Sequence, residues 1–410
     1  MESAKVVAGP PDDAATMRTV LLCGLALGLL ALDHGTLDRR IADLRMADLA
    51  LRLPAAGSGP VTWRLHRHAF PFGTAIAAAP LGLGDQPLPV EDVARYREIL
   101  TRHFTAVVCE NEMKWSGMER ADGSRRDDRA LAMLDFAEAN DLFLRGHCVL
   151  WGVPRWLPDW QKDLPPADAE ARVRARFAHV LTLFGDRIPE WDLVNELMAE
   201  DIFAAKMGWD TPDCYFAWAR ELSPGTRFFI NEFKGLQDGT PEKVVAFAES
   251  LRERGVVVDG IGDQAHFFRP VPDAQTLWDQ LDVYHRCGIP LVITEFDLSY
   301  KGMTEADRAE QIERMLAVCF AHPAVHGFYL WGFWDGRHWR KNCGLWSADW
   351  TPKPAAEAWM RCLHQRWTTT GEGQAEAGVL RWRGFPGTYA VTWQGEERLI
   401  RIAAGTEALW

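Results

Sequence analysis

Two segments carry the residues best placed to do chemistry. Trp191-Asp192-Leu193-Val194-Asn195-Glu196 and Leu291-Val292-Ile293-Thr294-Glu295-Phe296-Asp297 each read as a buried apolar strand that ends in a carboxylate. Desolvating such a charge is costly, so it has a partner or a job. Two carboxylates that face one cleft, one giving a proton and one acting as nucleophile or base, are what hydrolysis of a glycosidic bond requires.

The elements that position them follow from periodicity. Apolar strand candidates fall at 72–78, 106–111, 144–151, 190–196, 227–232, 260–267, 291–297 and 326–333. Amphipathic stretches at 90–103, 128–140, 167–184, 213–222, 241–254, 273–287, 304–321 and 354–366 alternate with them. Thr240-Pro241-Glu242 supplies a cap and a proline at the first helical position, and Pro354 does the same for the last helix. Eight strands, each followed by a helix, predict an α/β fold, a (β/α)8 barrel over residues 71–368. A doubly wound sheet is the alternative, but no glycine-rich phosphate turn follows the first strand.

In such a barrel the C-terminal strand ends form the active face. Glu196 then ends the fourth strand and Glu295 the seventh, in one mouth. Glu110, Asn111, Lys114, His147, Asn231, Glu232, Gln264, His266 and Trp331 come to the same level. Any one of these taken alone is an ordinary rim residue; independent strands supplying them together argue for a site.

Residues 33–70 and 375–410 form two β-rich flanks, each too small to hold a core alone, which predicts one accessory sheet module with Gly371-Glu372-Gly373-Gln374 as its linker. Trp382 and Trp393 read as the core of this module before they read as a sugar platform. More widely, the 19 tryptophans divide between core and, at the strand ends beside the carboxylates, surfaces that suit the C–H faces of sugar rings. The 13 residues Val20 to Leu32 fit the apolar region of a signal peptide, although no clean A-x-A site follows; an apolar helix packed on the domain is the other reading. If residues 17–32 are a signal peptide the protein is exported, periplasmic or extracellular; otherwise it is cytoplasmic.

The 410 residues carry a net charge of −12 and no basic cluster, which argues against nucleic acid and an anionic membrane surface as partners. Eight scattered cysteines without metal-ligand spacing argue against a zinc site. No stable protein partner is implied.

The motifs taken in order resemble glycoside hydrolase family 10, best known for endo-β-1,4-xylanases. They are Glu110-Asn111-Glu112-Met113-Lys114-Trp115, Arg145-Gly146-His147-Cys148-Val149-Leu150-Trp151, Trp191 to Glu196, Gly260-Ile261-Gly262-Asp263-Gln264-Ala265-His266, Ile293 to Asp297, the tryptophans Trp331 and Trp339, and Gly344-Leu345-Trp346 ahead of Lys353-Pro354. The resemblance implies a retaining enzyme without metal or organic cofactor, acting on a polysaccharide or oligosaccharide. By it Glu295 is the nucleophile and Glu196 the acid/base, about 5–5.5 Å apart. Asn195, His266 and Asp297 support them, and Glu110, Asn111, Lys114, His147, Trp151, Asn231, Gln264, Trp331 and Trp339 contact sugar. Glu196 should have a raised pKa.

The chain departs from the pattern at Gly152 (usually histidine), at Asn231-Glu232-Phe233 (usually Asn-Asp-Tyr), at Asp263 and in the loop Phe333 to Trp339. These departures are expected at the rim of the cleft, where they leave open decorated xylan, a short oligosaccharide or another β-linked glycan. Two other readings stand beside the hydrolase: a non-catalytic glycan-binding barrel, and a metal-dependent barrel hydrolase, whose H-x-H after the first strand Thr74-Ala75-Ile76-Ala77 lacks.

Overall fold

The computed structural model describes residues 32–54, 59–86, 88–208 and 213–410. The apolar run 20–31 lies outside them. Strands β1 (Ala47–Arg52) and β2 (Val61–His68) precede a barrel. The barrel consists of β3 (Phe72–Ile76), β4 (Ala106–Cys109), β5 (Phe143–Trp151), β6 (Glu190–Asn195), β7 (Arg227–Glu232), β8 (Gly260–Asp263), β10 (Leu291–Leu298) and β11 (Val325–Leu330), with the short β9 (His266–Phe267) beside β10. The eight pair in parallel, each with the next, and β11 closes onto β3. Helices cover the outside, so β3, β4, β6 and β10 are buried along their whole length. That is why they read as continuous apolar runs and not as alternating ones.

Register decides which side chains meet. Asn195 lies opposite Asn231, Glu232 opposite Asp263, and Asp297 opposite His266. At the other end of the barrel, Arg145 fills the interior against the Phe229 ring at 4.2 Å and pairs with Glu190 and Asp192.

The flanks differ from the expectation in three ways. His34–Arg45, within the stretch read as a β flank, is a helix capped by Asp33, whose carboxylate accepts from Thr36 N at 2.7 Å. It buries Leu37 and Ile41, and Arg45 donates to the Phe320, His322 and Val325 carbonyls at 2.8–2.9 Å. Second, the segment read as a linker is strand β12 (Thr370–Gly373), antiparallel to β2. Its glycine is required there: a Cβ on Gly371 would lie 2.4 Å from the Trp63 ring. Third, β13 (Val379–Gly384), β14 (Gly387–Trp393), β15 (Glu396–Ile402) and β16 (Glu407–Leu409) complete two sheets rather than one, β13-β1-β16 and β12-β2-β14-β15. Trp63 and Trp382 stack 4.9 Å apart between them, and Trp393 is buried. Thr240 precedes its helix but makes no side-chain cap; its hydroxyl donates to the Lys234 carbonyl instead.

Candidate active site

Strand β6 stops at Asn195, and Glu196 turns out of it with φ of 61°. A non-glycine residue in the left-handed region costs about 1–3 kcal/mol and persists only when its surroundings impose it. Here the Glu196 N–H donates to the Asn231 carbonyl at 2.8 Å, and the Ala199 N–H donates back to the Glu196 carbonyl at 3.0 Å. The carboxyl group accepts from Gln264 Nε2 at 3.1 Å through Oε1, while Oε2 is buried with no hydrogen-bond partner, as is Nε1 of the adjoining Trp151. Burial raises the Glu196 pKa and the charge of Glu295 raises it further, against the lowering by Gln264.

Glu295 has other surroundings. Its Oε1 accepts from Asn231 Nδ2 at 2.7 Å, and its Oε2 lies 3.1 Å from His266 Nε2. On its far side His266 Nδ1 faces Asp297 at 3.1 Å, in a geometry better described as an ion pair than as a straight hydrogen bond. Burial pulls the His266 pKa down, but Asp297 and Glu295 outweigh it and hold it at about 9. The imidazole is therefore a cation between two carboxylates. Asp297 is fixed in turn by Trp339 Nε1 at 2.7 Å and by the Arg340 guanidinium. Its pKa is lowered, since His266 and Arg340 together overcome its burial.

Both glutamates open into a cavity of about 500 Å³ at the C-terminal strand ends. Twelve of the residues singled out from the sequence line it: Glu110, Asn111, Lys114, His147, Trp151, Asn195, Glu196, Gln264, His266, Glu295, Trp331 and Trp339. Asn195 Oδ1 accepts from Asn231 at 2.8 Å and from Gln264 at 3.3 Å, so its amide nitrogen is the group it can offer to the cleft. Lys114 Nζ lies over the Trp151 and Trp331 rings at 4.7 and 5.9 Å and reaches Asn111 Oδ1 at 3.3 Å. Burial raises the Glu110 pKa against the opposing charge of Lys114. His147 is fixed by Asp192 at 3.0 Å. A larger cavity, about 630 Å³, lies at the opposite end of the barrel among Arg187, Glu190 and Arg227. These side chains are already paired with carboxylates or guanidinium groups of the chain, so the smaller cavity holds the reactive constellation.

Two of the expected site residues lie behind the cleft. Asp297 touches His266 and not the cavity. Asn231, expected to contact sugar, is fully buried: its amide nitrogen bridges Asn195 and Glu295, and its Oδ1 accepts from Thr294 at 2.7 Å. Three departures expected at the rim are also buried. Glu232 accepts from the Met198 N–H at 3.1 Å, and burial pushes its pKa up to about 8. Asp263 accepts from Leu236 N, Ala265 N and the Tyr284 hydroxyl, with a pKa raised to about 6 by burial. At Gly152, a Cβ would fall 2.3 Å from the Asp201 carboxylate, which caps the helix Ile202–Met207. Phe233, from the same departure as Glu232, does line the cleft as expected. Side chains not singled out from the sequence complete the site: Asp192 and Arg340 behind it, and Gln237 and Phe268 in its wall. Arg340 directly follows Trp339, which is the signal that could have found it.

A sequence profile for glycosyl hydrolase family 10 matches residues 64–362. The chain is 30% identical over 363 residues to the anti-sigma-I factor RsgI6 of Acetivibrio thermocellus, covering 87% of this chain and 46% of that protein. It is 29% identical over 367 residues to endo-1,4-beta-xylanase 1 of Arabidopsis thaliana, covering 87% of this chain and 37% of that one. It thus spans less than half the length of these curated relatives. Native xylanase 10B from Thermotoga maritima superposes with a TM-score of 0.63 at 25% identity, covering 72% of this chain and 95% of that one. With a profile match that runs through all eight barrel strands, the chain belongs to glycosyl hydrolase family 10.

Proposed function

We propose that the chain cleaves β-1,4-linked xylan or xylo-oligosaccharides with retention of configuration. The observation that carries this is the unequal environment of the two glutamates. Glu295 accepts from Asn231 and from a cationic His266, whereas Glu196 is buried with a raised pKa. A carboxylate held by donors suits the nucleophile; a carboxyl group that keeps its proton suits the acid. Glu295 attacks the anomeric carbon and forms a glycosyl ester as the bond to the leaving oxygen breaks, while Glu196 passes its proton to that oxygen. Glu196, now ionised, takes a proton from water, which attacks the same carbon and releases Glu295. Asn195 offers its amide nitrogen to a sugar hydroxyl. His266 and Asp297 act through Glu295.

The name of the Arabidopsis relative, an endo-1,4-beta-xylanase, supports xylan as the glycan. The test is reducing-sugar release from xylan, arabinoxylan and mixed-linkage β-glucan. Release from the xylans that disappears in Glu295→Ala and Glu196→Ala is expected, and full activity in Glu295→Ala would overturn the proposal. One relative is named an anti-sigma factor, a regulatory protein, so a glycan-binding barrel without turnover is the second reading. Tight binding of xylan with no hydrolysis of any aryl β-xyloside would favour it.

A further inference from the structure

The cleft wall beside Glu196 carries a cation that has no assigned contact with the reacting groups. Arg155 belongs to the single turn Pro154–Trp156 that follows β5, and its side chain lines the same cavity as Glu196. Among the described residues no carboxylate forms an ion pair or hydrogen bond with it, although its charge reaches Glu196 and acts to lower that carboxyl's pKa against the larger effect of burial. This contrasts with Arg340, the arginine behind the cleft, whose guanidinium is tied to Asp297 and to the Phe267 and Ser299 carbonyls. The Arg155 guanidinium lies over the Trp156 indole at 5.0 Å. Trp156 is 52% exposed, and its ring stacks on Trp151 with centroids 6.0 Å apart and planes 22° apart. The indole surface next to the acid/base carboxyl therefore continues outward along the wall and ends at an unpaired guanidinium.

An aromatic face suits a sugar ring, and a free guanidinium suits a carboxylate, which it can bind through two parallel N–H donors. In a chain with a net charge of −12, an unpaired arginine in the cleft also offsets the general repulsion of an acidic ligand. We infer that Arg155 and Trp156 form a subsite for an acidic branch on the glycan, a uronic acid, with its ring against Trp156 and its carboxylate on Arg155. This rests on the proposed glycan specificity and refines it: the preferred substrate is a xylan decorated with uronic acid.

The test compares xylo-oligosaccharides bearing a glucuronic acid branch with the same compounds after reduction of the branch carboxyl to an alcohol. Dissociation constants are measured in the Glu295→Ala background, and kcat/KM in wild type. A preference for the acidic form of about fivefold at low ionic strength is expected, the scale of one exposed charge pair, shrinking as salt is added. Arg155→Gln should abolish this preference and Arg155→Lys should keep part of it. Equal treatment of the acidic and reduced compounds by the unaltered wall, or a preference that survives Arg155→Gln, would overturn the inference. Hydrolysis failing on every xylan while the binding preference persists would remove the proposed activity and leave the acidic subsite standing.

Discussion

A carboxyl group that must give up a proton and one that must attack carbon need different surroundings, and residues 196 and 295 have them. Glu196 gains its raised pKa chiefly from burial, against a hydrogen bond donated by Gln264. Glu295 sits between Asn231 and the His266 cation. The proposed division of labour therefore predicts a split between substrates. Glu196→Gln cannot protonate a leaving sugar and should lose about 10²–10⁴ in kcat/KM on xylan. On an aryl β-xyloside whose phenolate leaves without a proton, the loss in the first step should be much smaller. Kinetics on both substrates check this, and equal losses would take the acid role away from Glu196. The raised pKa also keeps the competent protonated form present at a pH where an ordinary glutamate is ionised. The alkaline limb of the wild-type profile should therefore flatten in Glu196→Gln.

The strands fix this arrangement through close approaches that only glycine permits. On β8 a Cβ at Gly262 would sit 2.3 Å from Asn231 Oδ1 and 2.9 Å from the Thr294 methyl group. Gly262→Ala should therefore push Asn231 away from Glu295. A fall in kcat of at least about tenfold is expected, given how sharply catalysis depends on placement, with folding retained by circular dichroism; unchanged kcat would show that Asn231 does not set the position of Glu295. The strands and the two glutamates were legible in the sequence because parallel strands covered on both faces read as unbroken apolar runs, against which a terminal carboxylate stands out. What was not legible depends on contacts between distant segments. Asn231 looks like a cleft residue until register places it between Asn195 and Glu295. Gly152 looks like a missing histidine until Asp201, from the segment after β6, fills its space. The helix His34–Arg45 hides behind its charges, with Leu37 and Ile41 as its only fully buried aliphatic side chains. Thr370–Gly373 reads as a linker because its glycines serve the Trp63 ring and not a turn.

For the molecule as a whole, the buried ionisable groups give stability a definite slope with pH. Glu232, Asp263 and Glu196 have pKa values raised by burial, to about 8 for Glu232 and about 6 for Asp263. On these groups the folded chain holds more protons than the unfolded one from the usual carboxyl range up to about pH 8, so the stability they contribute falls as pH rises through that window. His266, raised to about 9, adds stability that is complete below the unfolded histidine value of about 6.5 and is lost as pH rises through 9. Asp192 and Asp297 are lowered and contribute in the opposite direction, losing their stabilisation only under stronger acid. Burial holds His68, His103 and His338 at about 4, so stability is also lost as pH falls below the unfolded histidine value of about 6.5. The melting temperature should therefore peak near pH 6.5 and decline by several degrees towards pH 9. Calorimetry across this range checks it. Glu232→Gln, which keeps an acceptor for the Met198 N–H, should lessen the decline, and a wild-type profile that rises from pH 7 to 9 would reverse the sign assigned to Glu232 and His266.

The most direct measurement of the catalytic assignment is the mass of the intact protein after incubation with a 2-deoxy-2-fluoro xylobioside carrying an activated leaving group. The fluorine slows release of the glycosyl ester, so a retaining enzyme accumulates it. One added fluoro-xylobiosyl group is expected, located by peptide mapping on Glu295 and absent in Glu295→Ala. Steady hydrolysis of xylan with no adduct, or an adduct on a residue other than Glu295, would contradict the assignment.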